Sequence, residues 1–130
     1  MFGLHPFKQT MLSQLINNLR SGSTISLFTD EIRSTISVVE AARALLLMLN
    51  QPGQTVHIGS AKGVSRYDFG LMVAKVFGLN KKLILPANQT DVAMPAKRPA
   101  DLTLNVEKQT RLGFTPLPLL KQIERLRHSL

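Results

Sequence analysis

The 130-residue chain predicts one α/β domain. Three observations lead there. Helical apolar stripes alternate along the chain with short β-rich segments, which is the pattern of sheet-and-helix layers. At 44% hydrophobic residues the chain can bury a real core, so it is not a disordered segment. The length fits a single domain, residues 1–130.

The elements follow in order. Phe7, Met11, Leu12, Leu15, Ile16 and Leu19 recur at helical spacing, with Pro6 suited to the first turn and Gly22 to the end. Thr24 to Phe28 alternates and predicts a strand, and Thr29 to Thr35 reads as a polar connector. Ser37 and Glu40 have the spacing of a capping box, which starts a helix at Val38 that runs to about Asn50 and closes at "QPG". "ARALLLML" is apolar nearly all round, so this helix is expected to be covered on more than one side. Thr55 to Ile58 reads as a buried strand, with His57 a packed structural histidine. Ser65 and Asp68 cap a helix with the stripe Phe69, Met72, Val73, Val76 and Phe77, closed by Gly78 in a left-handed conformation. Lys81 to Pro86 predicts a strand, "ANQTDVAMPAKRPAD" a long loop, and "LTL" a short strand. Asn105 suits the cap of a short helix ending at Gly113. Pro118 suits the start of a last helix with Leu119, Leu120, Ile123 and Leu126 inward.

Sixteen Lys and Arg against eight Asp and Glu leave a net charge of +8, which attracts anions. The cations are scattered, and one tyrosine and no tryptophan offer little stacking for bases. A small phosphorylated ligand therefore ranks above nucleic acid, and a basic nucleic-acid-binding module stays as an alternative. There is no cysteine, which excludes disulfides and thiolate metal sites and suits a reducing, cytoplasmic setting. The longest apolar run, Ala44 to Leu49, is too short to span a membrane, and "MFGLHPFK" does not read as a signal peptide.

The chemistry-bearing residues are few. His5, His57 and His128 lie far apart with no carboxylate pattern, and no metal-ligand spacing or serine elbow occurs. "GSAKGVS" has the strand, glycine loop and helix order of a phosphate loop but not its spacing, so a plain turn is the better reading. Lys62 and Arg66 keep a weak anion-binding option there. Two loop arginines remain. Arg33 precedes the Val38 helix, and Arg98 stands in a proline-framed loop. A guanidinium fork matches phosphate oxygens bidentately, although solvated loop arginines are the default from composition alone.

The ordered motifs "MFG", "G-x-x-I-x-L-F-x-D-E-I-R-S", "V-V-E-A-A-R-A-L", "V-H-I-G", "V-S-R-Y-D-F-G-x-x-V-A-x-V-F-G" and "A-x-R-P-A-D-x-x-L" together resemble a known family. It is the extended short-chain dehydrogenases acting on nucleotide sugars, closest to the dTDP-4-dehydrorhamnose reductase group. The resemblance runs from Met1 to about Leu126. It implies the C-terminal, substrate-binding portion of an NAD(P)-binding Rossmann-type protein, incomplete without its dinucleotide-binding half. On this reading the Val38 helix and the Thr55 to Ile58 segment return to the Rossmann sheet.

The resemblance also implies NAD(P) for the full-length family and none bound by this chain alone. The glycine-rich turn and the catalytic Tyr-x-x-x-Lys are missing. Tyr67 is followed at that spacing by Leu71, and the chain is expected to begin mid-protein. Carried over by position, Arg33 and Arg98 fall where relatives hold the substrate diphosphate, with Lys97 and Asp101 as expected neighbours. No catalytic residue is assigned. Thr35, Ser37 and Glu40 depart from the proline, aromatic and aspartate common in the family, which bears on the substrate. The implied function is nucleotide-sugar binding within a reductase or epimerase, inactive as this chain alone. The alternative is a non-catalytic regulatory subunit, similar to that of methionine adenosyltransferase, or a homo-oligomer formed through an exposed apolar face.

Overall fold

The computed structural model describes residues 1–5, 7–51, 53–93 and 96–128. Its α/β architecture has five helices around two small sheets among the described residues. Helix α1 (Met11–Arg20), α3 (Arg66–Phe77) and α5 (Leu119–His128) surround a parallel pair of strands, β1 (Ile25–Phe28) and β4 (Ile84–Ala87). Ile25 stands opposite Ile84 and Phe28 opposite Ala87. One core joins these pieces. Leu12, Leu15, Ile16 and Leu19 from α1 meet Phe69, Val73 and Ala74 from α3, Ile84 from β4, and Ile123 and Leu126 from α5. Phe2 packs edge-on against Phe69 with ring centroids 5.0 Å apart.

Helix α3 matches its sequence signals closely. Ser65 accepts from the Asp68 amide at 3.0 Å, and Gly78 ends the helix at φ +67°, a region where side chains are strained. The last helix also forms as expected, with Ile123 and Leu126 buried and Leu119 and Leu120 packed at the core edge.

Several expectations are corrected. Helix α1 starts later than the stripe suggests, because Thr10 and Ser13 cap each other. Phe7 is left outside the helix, 90% exposed, and Pro6 lies outside the described residues. The presumed connector 29–35 contains strand β2 (Ile32–Arg33). It sits between antiparallel β3 (Val64–Ser65) and parallel β5 (Asp101–Leu102). The "LTL" strand is thus displaced by a residue to β5, because Ile32 pairs with Asp101. The segment 81–86 begins as a single 3-10 turn, Lys81–Leu83, before entering β4, and another such turn, Gln89–Asp91, interrupts the long loop. Helix α4 (Glu107–Arg111) is capped at Val106 and not at Asn105 as expected; Asn105, one position earlier, accepts from the Glu107 amide through Oδ1 at 3.0 Å.

The largest departures lie around helix α2 (Val38–Met48), which stops short of the expected Asn50. Pro52 of the expected "QPG" closure lies outside the described residues. Only half of the capping box forms. Ser37 Oγ accepts from the Glu40 amide at 3.2 Å, but the Ser37 amide donates to Gln122 Oε1 at 2.7 Å. Glu40 turns instead to the Leu117 amide, at 3.1 Å, and to Arg43, at 2.7 Å. Gln122 Nε2 then donates to the Leu117 carbonyl, so Ser37, Gln122, Leu117 and Glu40 close a polar ring between α2 and α5. The buried residues of α2 are Glu40, Ala41 and Ala44 only. Leu46 is 68% and Leu49 75% exposed, so the expected cover on several sides is absent within this chain. Residues 55–58 form no strand, and His57 is exposed rather than packed.

Candidate functional site

Strand β2 carries the candidate residue Arg33 and is pinned on both edges. The Ile32 amide donates to the Ala100 carbonyl at 2.7 Å, which registers the 96–101 loop on the strand. Gly63 makes room for this. A Cβ there would come within 2.6 Å of Ile32 Cγ2, so a side chain would push the β3 turn off β2.

Arg33 grips the same loop from its side chain. Nη1 donates to Ile32 O at 2.7 Å, Ala100 O at 3.2 Å and Pro99 O at 3.4 Å, and Nη2 also reaches Pro99 O at 3.4 Å. The structure therefore brings Arg33 together with the loop of Lys97, Arg98 and Asp101. Arg33 does so through the backbone carbonyls that follow Arg98. Lys97 and Arg98 are exposed and make no hydrogen bond or ion pair among the described residues. They line an open groove of about 600 Å³ with Asp30 and Gln89, whose own polar groups tie together: the Gln89 amide donates to the Asp30 carboxylate at 3.0 Å. Pro95, which frames this loop in sequence, lies outside the described residues.

Asp101 serves its own strand end and not Arg98. Its Oδ1 accepts from the Thr103 hydroxyl and amide, the amide at 2.8 Å. These two bonds, with a smaller contribution from the Arg33 charge, hold its carboxyl below the ordinary 3.8 against a weak opposing effect of burial.

Two residues of the site were weak or silent in sequence. Glu31 lay in the presumed polar connector, yet it is 2% exposed. Arg66, noted only as a weak anion binder, donates from Nε to Glu31 Oε1 at 2.6 Å, and Arg33 Nη2 lies 3.5 Å from the same oxygen. The signal that could have found them is charge. An acid two residues before an arginine, in a segment flanked by β-rich residues, asks for burial with a partner. Arg66 borders two cavities. One, about 480 Å³, offers Gln9, Gln14 and Asn18 opposite Leu27 and Phe69. The other, about 140 Å³, is walled by Phe2, Arg33, Thr35 and Ser65. The cavities share Met11, Arg66 and Phe69. Lys62 lies elsewhere, on a cavity of about 440 Å³ with the apolar walls Met72, Leu117 and Leu120, so it does not join Arg66.

Other chemistry is sparse. Among the described residues no group of three His, Cys, Asp or Glu could hold a metal ion, and no helix is long and apolar enough to cross a membrane. The cationic last helix is partly used internally. Arg127 donates to the Val76 carbonyl at 2.7 Å, and Lys121 pairs with Glu124 at 2.8 Å.

Residues 4–128 match the family model described as the RmlD substrate binding domain. The chain belongs to that family. It is also 31% identical over 91 residues to a Haloferax volcanii protein named "Probable low-salt glycan biosynthesis reductase Agl14", covering 69% of this chain and 30% of that one. Among solved structures, a dTDP-4-dehydrorhamnose reductase from Bacillus anthracis, in complex with NADP, superimposes at TM-score 0.84 with 18% identity. The match covers 99% of this chain and 46% of that one. The same reductase from Yersinia enterocolitica gives TM-score 0.77 and 21% identity, covering 96% of this chain and 46% of that one. The fold is thus that of the substrate-binding portion of Rossmann-type reductases, and this RmlD-family chain spans less than half the length of these relatives.

The NADP bound to the Bacillus anthracis reductase does not fit the described residues of this chain. A pyrophosphate cradle needs a glycine-rich turn that leaves helix-start amides open. Here Thr10, Ser37 and Ser65 each occupy such amides at α1, α2 and α3. No step is derived through that cofactor.

Proposed function

We propose that this chain is the nucleotide-sugar-binding part of a dTDP-4-dehydrorhamnose reductase-like oxidoreductase or epimerase. The observation that carries this reading is a pair of neighbouring cavities that share Met11, Arg66 and Phe69 on their walls, with Arg33 on the wall of the smaller. The larger cavity combines amide side chains, which can meet the polar edge of a base, with Leu27 and Phe69, which can cover its faces. Arg66 lines both cavities and Arg33 the smaller one, so a diphosphate extending from the larger cavity into the smaller would meet both guanidinium groups. Lys97 and Arg98 make no hydrogen bond or ion pair among the described residues and line a neighbouring open groove, on the loop whose Pro99 and Ala100 carbonyls Arg33 holds; the resemblance makes them a further source of positive charge for the diphosphate. Asp101 acts through its turn with Thr103, shaping the strand that follows the loop.

On this proposal the chain's own residues bind and orient. They supply no catalytic acid, base or nucleophile, and hydride chemistry belongs to a dinucleotide-binding part in an intact enzyme. The test has two arms. Purified chain titrated calorimetrically with dTDP and UDP should bind, and Arg98→Ala should weaken binding about tenfold, the loss of one charge-assisted hydrogen bond. The same chain mixed with NADPH and a 4-keto sugar nucleotide should oxidise no NADPH. Equal affinity of mutant and parent contradicts the Arg98 assignment, and turnover contradicts the binding-only role.

One observation favours a second reading, a partner-binding subunit of the same fold. The row of exposed leucines on α2 is large for a surface helix.

A further inference from the structure

The geometry points to Arg66 as the residue that holds the diphosphate of the ligand, with Glu31 as its positioning residue. This rests on the nucleotide-binding reading above and names a pair that the resemblance did not assign.

Arg66 is the one cation on the walls of both cavities. A ligand that fills the larger cavity and continues into the smaller must pass it. A nucleoside diphosphate has the matching order of groups: an apolar-faced base, then a sugar, then two phosphates. Arg66 is also prepared for such a role. Its Nε is fixed on Glu31 Oε1 at 2.6 Å, and its backbone amide is fixed on the Glu31 carbonyl at 3.2 Å. That orients the rest of the fork without consuming it. Nη1 meets only the Met11 sulfur at 3.1 Å, a weak acceptor that phosphate oxygen can displace, and Nη2 has no partner among the described residues.

Glu31 explains why the arrangement is directional. A buried carboxylate is costly unless paired, and this one is paired through a single oxygen. Its Oε2 meets no hydrogen-bond donor among the described residues. A residue kept only for stability would be expected to use both oxygens. Glu31 instead spends one oxygen drawing Arg66 and Arg33 to the same point, 2.6 Å and 3.5 Å away. One negative charge against two positive ones leaves a net positive charge at the cavity walls, which attracts an anion. The helix start contributes little, because Ser65 and Asp68 already occupy it.

The experiment compares parent, Arg66→Ala, Arg66→Lys, Glu31→Gln and the remote control Lys62→Ala. All are the full chain, each titrated with dTDP and with thymidine. Arg66→Ala should weaken dTDP about tenfold or more while leaving thymidine within about twofold. Arg66→Lys should recover part of the loss, because it keeps the charge and loses the fork. Glu31→Gln should weaken dTDP about threefold or more and abolish the slowly exchanging Arg66 Nε–H resonance in nitrogen-15 spectra of the free chain. Lys62→Ala should match the parent. If the parent binds dTDP and Arg66→Ala binds it equally, the assignment is overturned while the nucleotide reading stands. If dTDP and thymidine weaken by the same factor, Arg66 is structural and the assignment is overturned. If the parent binds no dTDP, both are overturned.

Discussion

Helices α2 and α3 have nearly the same length and similar apolar content, and they end in opposite situations. Helix α3 is the axis of the molecule. Phe69, Val73, Ala74 and Val76 are buried where α1, α5 and the β1–β4 pair close around them. Helix α2 buries a narrow strip and leaves Val39, Leu45, Leu46 and Leu49 in solvent. Apolar composition states that a helix needs cover; it does not state which polypeptide provides it. On the proposed reading the difference also divides function: the cavities with Arg33 and Arg66 belong to the side where the core is complete, and among the described residues the α2 side offers no comparable cavity with two arginines.

The sharpest way to break this comparison is to truncate one leucine on each side. Leu12→Ala, in the closed core, should cost about 2–5 kcal/mol in urea unfolding. Leu46→Ala, on the open face of α2, should change stability by no more than about 0.5 kcal/mol. Equal costs would mean that α2 is covered in solution, for example by a second copy, and sedimentation would reveal the assembly.

Next in size is the ring that joins the two sides. Glu40→Ala removes the side-chain oxygens that receive the Leu117 amide and Arg43. Leaving that amide poorly satisfied should cost about 1–3 kcal/mol by thermal unfolding, with most of the loss from the buried bond and little from the exposed Arg43. An unchanged melting midpoint would remove the ring from the account.

Much of the complete side was legible in sequence because its signals are local. The stripe from Phe69 to Phe77, the Ser65 cap and Gly78 all lie within one segment, and all three appear in α3. The misses come from partners far away in the chain. Strand β2 is two residues long and polar at one of them, so nothing local distinguishes it from a connector. It forms because residues 64 and 100 flank it. The Ser37–Glu40 box was half right because Gln122, 85 residues away, takes the amide that Glu40 was expected to reach for. Arg33 and Arg98 could be singled out by residue type and by resemblance. Glu31 offered only the weaker signal of an acid two residues before an arginine, because its close partner Arg66 comes 35 residues later. Residues 55–58 show the reverse failure: they read as a buried strand, but among the described residues no strand pairs with them.

The smallest expected effect concerns pH. The folded-state pKa of Asp101 is lowered by Thr103, so the associated stabilisation is present above the ordinary 3.8 and is lost as pH falls through the lower folded value. Thr103→Ala should raise the Asp101 titration midpoint toward 3.8, followed by carbon-13 detection of its carboxyl. A midpoint unmoved by the substitution would assign the lowering to the backbone amide of residue 103 and, behind it, Arg33.

The most direct test of the central claim is a nitrogen-15 chemical-shift titration of the full chain with dTDP. Shifts should concentrate at residues 9–18, 25–33 and 64–69, include the Arg66 Nε–H, and leave the α2 amides unmoved. Shifts confined to α2, or none at saturating dTDP, would contradict the claim that the nucleotide site lies on the closed side of the molecule.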